Sequence, residues 1–262
     1  MPIPTSPQLK LDRAKEHLRD FYLQFSYYNS FKPYQPIREM DADGSGYTLK
    51  LGLCPPIPTS LSAIAGDAVH NMRAFLDHLV WELVRANHRN PDSDTMFPIS
   101  ANLRFRNNKP AFFDYAHKMI CKCDPLVQDI IEALQPYHRG DDAKRDLLWV
   151  LNDFDRFDKH RTLQFVVGQY RLMPTEESRL IFDGKEVDDP SSVIIRGRLD
   201  EEGILGHFSV DVDPNQAIEP YLSARMGFDF DGPGHGASPD ILWRICAYLE
   251  RDVVPGFERF FS

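Results

Sequence analysis

GDAVHNMRAFLDHLVWEL, residues 66–83, has apolar residues at the three- and four-residue intervals that are typical of an α-helix. We place this helix at about residues 60–88, where Thr59 or Ser60 can cap its first turn. One arc of the helix is apolar and consists of Ala65, Met72, Phe75, Leu76, Leu79, Val80 and Leu83. An arc of this width predicts a helix that buries one side in the core of a helical region.

The opposite arc of the same helix is chemically unusual. At 100° per residue it is flanked by Arg73 and Asp77. Its members are Asp67, His70, Asn71, His78 and Trp81. A solvated helix face normally carries Lys and Glu instead. We therefore interpret this arc as part of a site shared with a second helix or a second subunit. A solvated face and a structural salt bridge (Asp77 or Asp158 with Arg73 or Arg161) remain alternatives.

The period of the sequence changes near residue 161. Helical spacing is found in residues 8–30, 110–136 and 144–160, whereas short β-rich runs separated by Gly, Pro, Asp and Glu follow up to about residue 230. A closing amphipathic helix is expected over 239–261.

These runs predict an α+β protein of two regions. The N-terminal region, residues 1–161, is expected to be a mostly helical bundle with a short strand near 46–53. The C-terminal region, residues 162–262, is expected to be an antiparallel β-rich part closed by the terminal helix. The role of the β-rich part does not follow from its sequence.

A second polar group, NDFDRFDKHR (residues 152–161), ends the predicted helix 144–160. Its polar residues include Asn152 and Asp155, and its candidate site residues are Asp158, Lys159, His160 and Arg161. Helical bundles build metal sites from Asp and His on facing helices, so a divalent-metal site is one alternative. Its ligands would be Asp67, His70, His78, Asp158 and His160. The spacing leaves open whether helices 60–88 and 144–160 touch.

The pair Arg73 and His78, in R-x4-H spacing, suggests phosphodiester cleavage. A histidine can move the proton of an attacking ribose 2′-hydroxyl, and an arginine can hold the phosphate as its charge grows. Five residues correspond to about 140° of rotation, so a second helix or subunit is needed to close such a site.

This spacing in a helical region resembles the HEPN superfamily. The resemblance implies a metal-independent endoribonuclease that needs no cofactor, acts on RNA and forms a homodimer. Arg73, His78 and Asp77 would be its catalytic residues. Asp67, His70, Asn71, Trp81, Asp158, Lys159, His160 and Arg161 would support them. We expect a toxin or defence setting for such an enzyme, and a non-catalytic interaction module is the further alternative.

The longer pattern GDAVHNMRAFLDHLVW, FPI, LQPY and DKHR is similar to an uncharacterised family of bacterial proteins. It covers most of residues 8–165 and implies no particular activity.

Amino-acid composition and net charge argue against some classes of function. The chain has 262 residues, 42% of them hydrophobic, and a formal net charge of −9, which argues against extended binding to DNA. No stretch has the roughly 18 apolar residues of a membrane span. The four scattered cysteines are typical of reduced thiols, so a cytoplasmic protein without membrane contact is expected.

Overall fold

The computed structural model describes residues 3–31, 34–40, 42, 46–53, 57–102, 105–106, 109–110, 112–160, 165–171, 181–182, 185–186, 194–196, 204–209, 223–228 and 239–261. Its α-helices are α1 (Thr5–Ser30), α2 (Thr59–Ala86), α3 (Phe112–Ile120), α4 (Pro125–Ala133), α5 (Leu147–His160), α6 (Asp240–Tyr248) and α7 (Val254–Phe257). Segments Pro136–Arg145 and Glu258–Phe261 are 3₁₀-helical, and Leu249–Val253 is a π-helical turn.

The strands are short and pair antiparallel. They are β1 (Tyr34–Met40), β2 (Gly46–Leu53), β3 (Phe105–Arg106), β4 (Lys109–Pro110), β5 (Phe165–Arg171), β6 (Ile181–Phe182), β7 (Lys185–Glu186), β8 (Ile194–Arg196), β9 (Ile204–Ser209) and β10 (Ser223–Phe228). One sheet has the order β1-β2-β9-β6-β7, a second has the order β10-β5-β8, and β3 pairs with β4.

The chain forms two compact units. The helical unit comprises Met1–Tyr22, Ala63–Leu163 and Ile241–Ser262. Its core contains the whole apolar arc predicted for α2, which is buried as expected. The C-terminal helices belong to this core through Leu242, Ile245 and Phe257, and the rings of Tyr22 and Trp243 lie 6.1 Å apart. Helices α1 and α6 are therefore neighbours.

The strand unit comprises Leu23–Ser62 and Gln164–Asp240. Its larger sheet is assembled from both halves of the chain, because β2 pairs with β9 from Gly46↔Ser209 to Lys50↔Ile204. An ion pair of 2.8 Å joins Lys50 to Glu39 across the β1–β2 hairpin. Strands far apart in sequence thus form one ladder.

The predicted fold class is wrong. Most of the described residues lie in helices, and the terminal helix packs in the helical unit instead of closing a β-rich part. The N-terminal region also supplies a hairpin to the larger sheet. The physical reason is that strand pairing and helix packing join segments remote in sequence, which a local period does not reveal. Only one crossing between the units, at Leu163–Gln164, lies near the predicted boundary.

One predicted helix is interrupted for a local reason. The helix predicted over 110–136 is interrupted after Ile120, because Asp124 caps α4 by accepting a hydrogen bond of 2.8 Å from Leu126 N and Pro125 occupies its first turn.

Among the described residues, no helix combines the length and the apolar character that crossing a membrane requires.

Candidate functional site

The polar residues of α2 lie on more than one face in the structure. Gly66, His70, Arg73 and Asp77 are separated by four, three and four residues, so they follow one face of the helix. Gly66 and His70 meet α5, and Arg73 and Asp77 meet the backbone of Phe97. His78 instead meets α1. The sequence-predicted residues are therefore divided between two sites.

Helices α2 and α5 touch at Gly66. A Cβ atom placed on Gly66 would overlap the carboxylate of Asp158, so the absence of a side chain allows this approach. One turn further along α2, His70 Nδ1 lies 3.2 Å from Asp155 Oδ1. The sequence left open whether helices 60–88 and 144–160 touch, and the structure shows that they do. We define the α2–α5 cluster as Asp67, His70, Asp155, Asp158 and Lys159.

His70 is held by a buried carboxylate. The side chain of Asp155 is only 5% exposed, whereas that of His70 is 57% exposed. Because a carboxylate can only accept, Nδ1–H of His70 is the donor, and in the neutral ring the lone pair is on Nε2. The other oxygen of Asp155 lies 2.7 Å from Lys159 Nζ. The result is an oriented, solvent-accessible imidazole beside an ammonium group.

Asp158 is the second titratable group that faces His70. Burial is the largest cause that raises its pKa, and the negative charges of Asp67 and Asp155 raise it further, while His70 opposes the shift. Like charges and partial desolvation both disfavour the ionised carboxylate. Asp158 is consequently a better proton donor near neutral pH than an ordinary aspartate.

The Asp158→Asn substitution is expected to raise Tm at neutral pH. The folded-state pKa of Asp158 lies above its ordinary value of 3.8, so the charged form costs stability once the pH exceeds that range. Asparagine has a similar shape and no charge. Well below pH 3.8 Asp158 is protonated in both states, and the gain should disappear. Thermal unfolding across pH measures this, with Asp129→Asn on the exposed side of α4 as the control. An unchanged or lower Tm at neutral pH would contradict it.

Arg73 and Asp77 bind a loop. Arg73 Nη2 donates to the carbonyl oxygen of Phe97 at 2.8 Å, and Phe97 N donates to Asp77 Oδ1 at 2.9 Å. Arg73 Nη1 lies 2.9 Å from the same Asp77 oxygen. Both polar groups of one loop residue are thus satisfied by side chains, and the phenyl ring of Phe97 is fully buried. The guanidinium expected to hold a phosphate is engaged in the structure of the protein itself.

Charged residues of α5 also affect the pKa of Asp77. Burial is the main cause that raises the pKa of Asp77, and the charge of Asp155 raises it further. Arg73, the hydrogen bond from Phe97 and the charge of Lys159 act in the opposite direction. The Arg73–Asp77 pair therefore borders the α2–α5 cluster.

His78 lies on a different side of α2. Its Nδ1 is 2.8 Å from Ser6 Oγ of α1. Burial and then the charge of Lys10 lower its pKa, against the opposite effects of Asp77 and Glu82. Within this chain Arg73 and His78 thus have separate partners, and the two do not form one site.

The other predicted residues are placed as follows. Asn71 Nδ2 donates to the carbonyl oxygen of Asp67 within α2, and Trp81 is 41% exposed. The side chain of His160 and the whole of Arg161 lie outside the described residues. In the part of the chain that is described, no three His, Cys, Asp or Glu groups are placed to hold a metal ion.

The sequence analysis placed Asp155 in the polar group of residues 152–161 but not among the candidate site residues, and it assigned no role to Gly66 or Ser6. A signal for Asp155 exists, because it precedes Asp158 by one helical turn and so shares its face of α5. The close approach at Gly66 and the bond of Ser6 depend on tertiary packing, for which the sequence carries no local sign.

Comparison with known proteins gives no relative for this chain: no family model, no curated protein and no solved structure matches it.

Proposed function

We propose that the chain is an acid–base enzyme that cleaves RNA without a metal ion, with its chemistry at the α2–α5 cluster. The observation that carries the proposal is the exposed imidazole of His70 oriented by the buried carboxylate of Asp155. A histidine held in one tautomer by a carboxylate is suited to proton transfer. The function is the one expected from the HEPN resemblance, but the proton-transferring residue is His70 instead of His78.

The choice of RNA follows from what the cluster contains. It offers a base, His70, and a carboxyl group with a raised pKa, Asp158, but no Ser, Thr or Cys nucleophile. RNA carries its own nucleophile, the 2′-hydroxyl. In the proposed step His70 Nε2 takes the 2′-hydroxyl proton, O2′ bonds to phosphorus, and the bond from phosphorus to O5′ breaks. Asp158 gives its proton to O5′, and the product ends in a 2′,3′-cyclic phosphate.

In this proposal Arg73 and Asp77 are positioning residues. They fix the Phe97 loop against α2 and do not touch the substrate. Lys159 supplies positive charge beside His70, because both side chains bind the carboxylate of Asp155. The carboxylates of Asp67 and Asp155 outnumber it and repel a phosphate chain.

The test is a cleavage assay with a fluorescent oligoribonucleotide and its all-2′-deoxy counterpart, in the presence of EDTA. The ribo-substrate is expected to be cut to 2′,3′-cyclic phosphate ends, and the deoxy-substrate to remain intact. Because salt screens repulsion between exposed charges, kcat/KM should rise between about 20 and about 200 mM salt, opposite to a basic nuclease. Absence of cleavage, or equal cleavage of both substrates, would overturn the proposal and favour the interaction-module alternative.

The predicted homodimer and the toxin or defence setting stay predictions. Trp81 is the side chain on which an interface along α2 would depend, since it is large, apolar and exposed. Light scattering on the wild type and on Trp81→Ala measures whether a dimer forms and whether Trp81 holds it.

A further inference from the structure

The hydrogen bond between Ser6 and His78 joins a hydroxyl to an imidazole outside the α2–α5 cluster. Ser6 Oγ lies 2.8 Å from His78 Nδ1, within the range at which a histidine can take a proton from a nucleophile. Both side chains are half-buried. The residues are 72 positions apart in sequence and come from different helices, so the contact depends on the fold.

The charges around His78 suit a base. Burial and Lys10 favour the neutral imidazole, which can accept a proton. Asp77 and Glu82 act in the opposite direction and stabilise the imidazolium once it forms. Glu82 is one turn after His78 on the same side of α2. The pair thus has an acidic neighbour near the imidazole, as nucleophile–histidine pairs in hydrolases do.

Apolar side chains flank the pair on both helices. Leu9 is three residues after Ser6 in α1 and is 62% exposed, and Trp81 is three residues after His78 in α2. Residues at this spacing are neighbours on a helix surface. Apolar surface beside a hydroxyl matches a carbonyl compound with an apolar acyl group.

We propose that Ser6 and His78 form a nucleophile–base pair that hydrolyses esters of small apolar carboxylic acids. Ser6 Oγ attacks the carbonyl carbon while His78 Nδ1 takes its proton. The bond from the carbonyl carbon to the leaving oxygen breaks, and His78 protonates the departing alcohol. Water then attacks the acyl group on Ser6, His78 takes the proton of the water and returns it to Oγ, and the carboxylic acid leaves.

The first probe is p-nitrophenyl butyrate under pre-steady-state conditions. The full chain is expected to release a burst of about one p-nitrophenolate per molecule, as acyl-enzyme formation requires. The Ser6→Ala and His78→Gln variants should lose the burst rate by about 100-fold or more. Thr5→Ala, which removes the neighbouring hydroxyl, is the matched control and should keep it.

A fluorophosphonate label gives the second measurement. Mass spectrometry should place one label on Ser6 in the wild type and none in Ser6→Ala, and circular dichroism should show that both variants are folded. A wild type without burst and without label on Ser6 overturns the proposal and leaves a bond that only joins α1 to α2. Ser6→Ala should cleave RNA at the wild-type rate, so that the proposed ester hydrolysis and the proposed RNA cleavage are tested independently.

Discussion

The His70→Ala variant is expected to cleave RNA at least about 100-fold more slowly than the wild type, since positioned acid–base groups contribute about 10²–10⁴-fold. His70 is exposed and contributes no side chain to the core, so the variant should fold normally. Initial rates with the oligoribonucleotide measure the effect. Imidazole added to the buffer should restore part of the rate, because it can occupy the space that the side chain leaves and accept the same proton.

The matched control for His70 is His117→Ala, which removes an exposed histidine from α3. Its rate should equal that of the wild type. Asp155→Asn tests the positioning of His70. It should lower kcat with little change in KM, because the amide can hold the ring in the wrong tautomer. A His70→Ala variant as active as the wild type would remove the α2–α5 cluster from the mechanism.

The Arg73→Ala variant is expected to lose about 2 kcal/mol of the free energy of unfolding, between the effects typical of exposed and of fully buried ion pairs. The Arg73 side chain is 11% exposed and that of Asp77 34%, and the substitution removes the cation beside Asp77 and the donor to the carbonyl oxygen of Phe97. Urea denaturation followed by circular dichroism measures the change.

Two further variants make the Arg73 result specific. Arg85→Ala, on the exposed side of α2, should change stability by less than about 0.5 kcal/mol. Removing both Arg73 and Asp77 should cost less than the sum of the two single losses, because no buried charge is then left unpaired. If Arg73→Ala loses less than about 1 kcal/mol of the free energy of unfolding and also loses RNA cleavage, the structural role is contradicted. Arg73 would then have the phosphate-binding role predicted from its spacing.

The sequence predicted what depends on neighbours along the chain. The apolar arc of α2, including Met72, Phe75 and Leu79, is buried because residues three and four apart share a helix face. β2 begins at Gly46 and ends at Leu53, the range that the alternating residues indicated. The start of α4 follows from local signals too, since the sequence indicates Asp124 as the N-cap and Pro125 at the first helical position, and the structure confirms both.

What the sequence did not predict depends on remote contacts. His70 meets Asp155, 85 positions away, and Arg73 bonds the backbone of Phe97 while His78 bonds Ser6. The R-x4-H spacing led to the prediction that Arg73 and His78 form one site, whereas in the structure the two side chains contact different residues. The metal alternative stays a prediction, since the side chain of its ligand His160 lies outside the described residues; of its other ligands, His78 bonds Ser6 on α1.

The neighbouring positions of α1 and α6 have a consequence for synthesis on the ribosome. α1 emerges early, whereas Leu242 and Ile245 of α6 and Phe257 of α7, which pack in the same core, are added long after it. The helical unit therefore cannot reach its final packing until these residues have left the ribosome, and apolar residues of α1 and α2 lack part of their contacts until then. Apolar surface exposed in this way favours aggregation and is the surface that chaperones protect during synthesis.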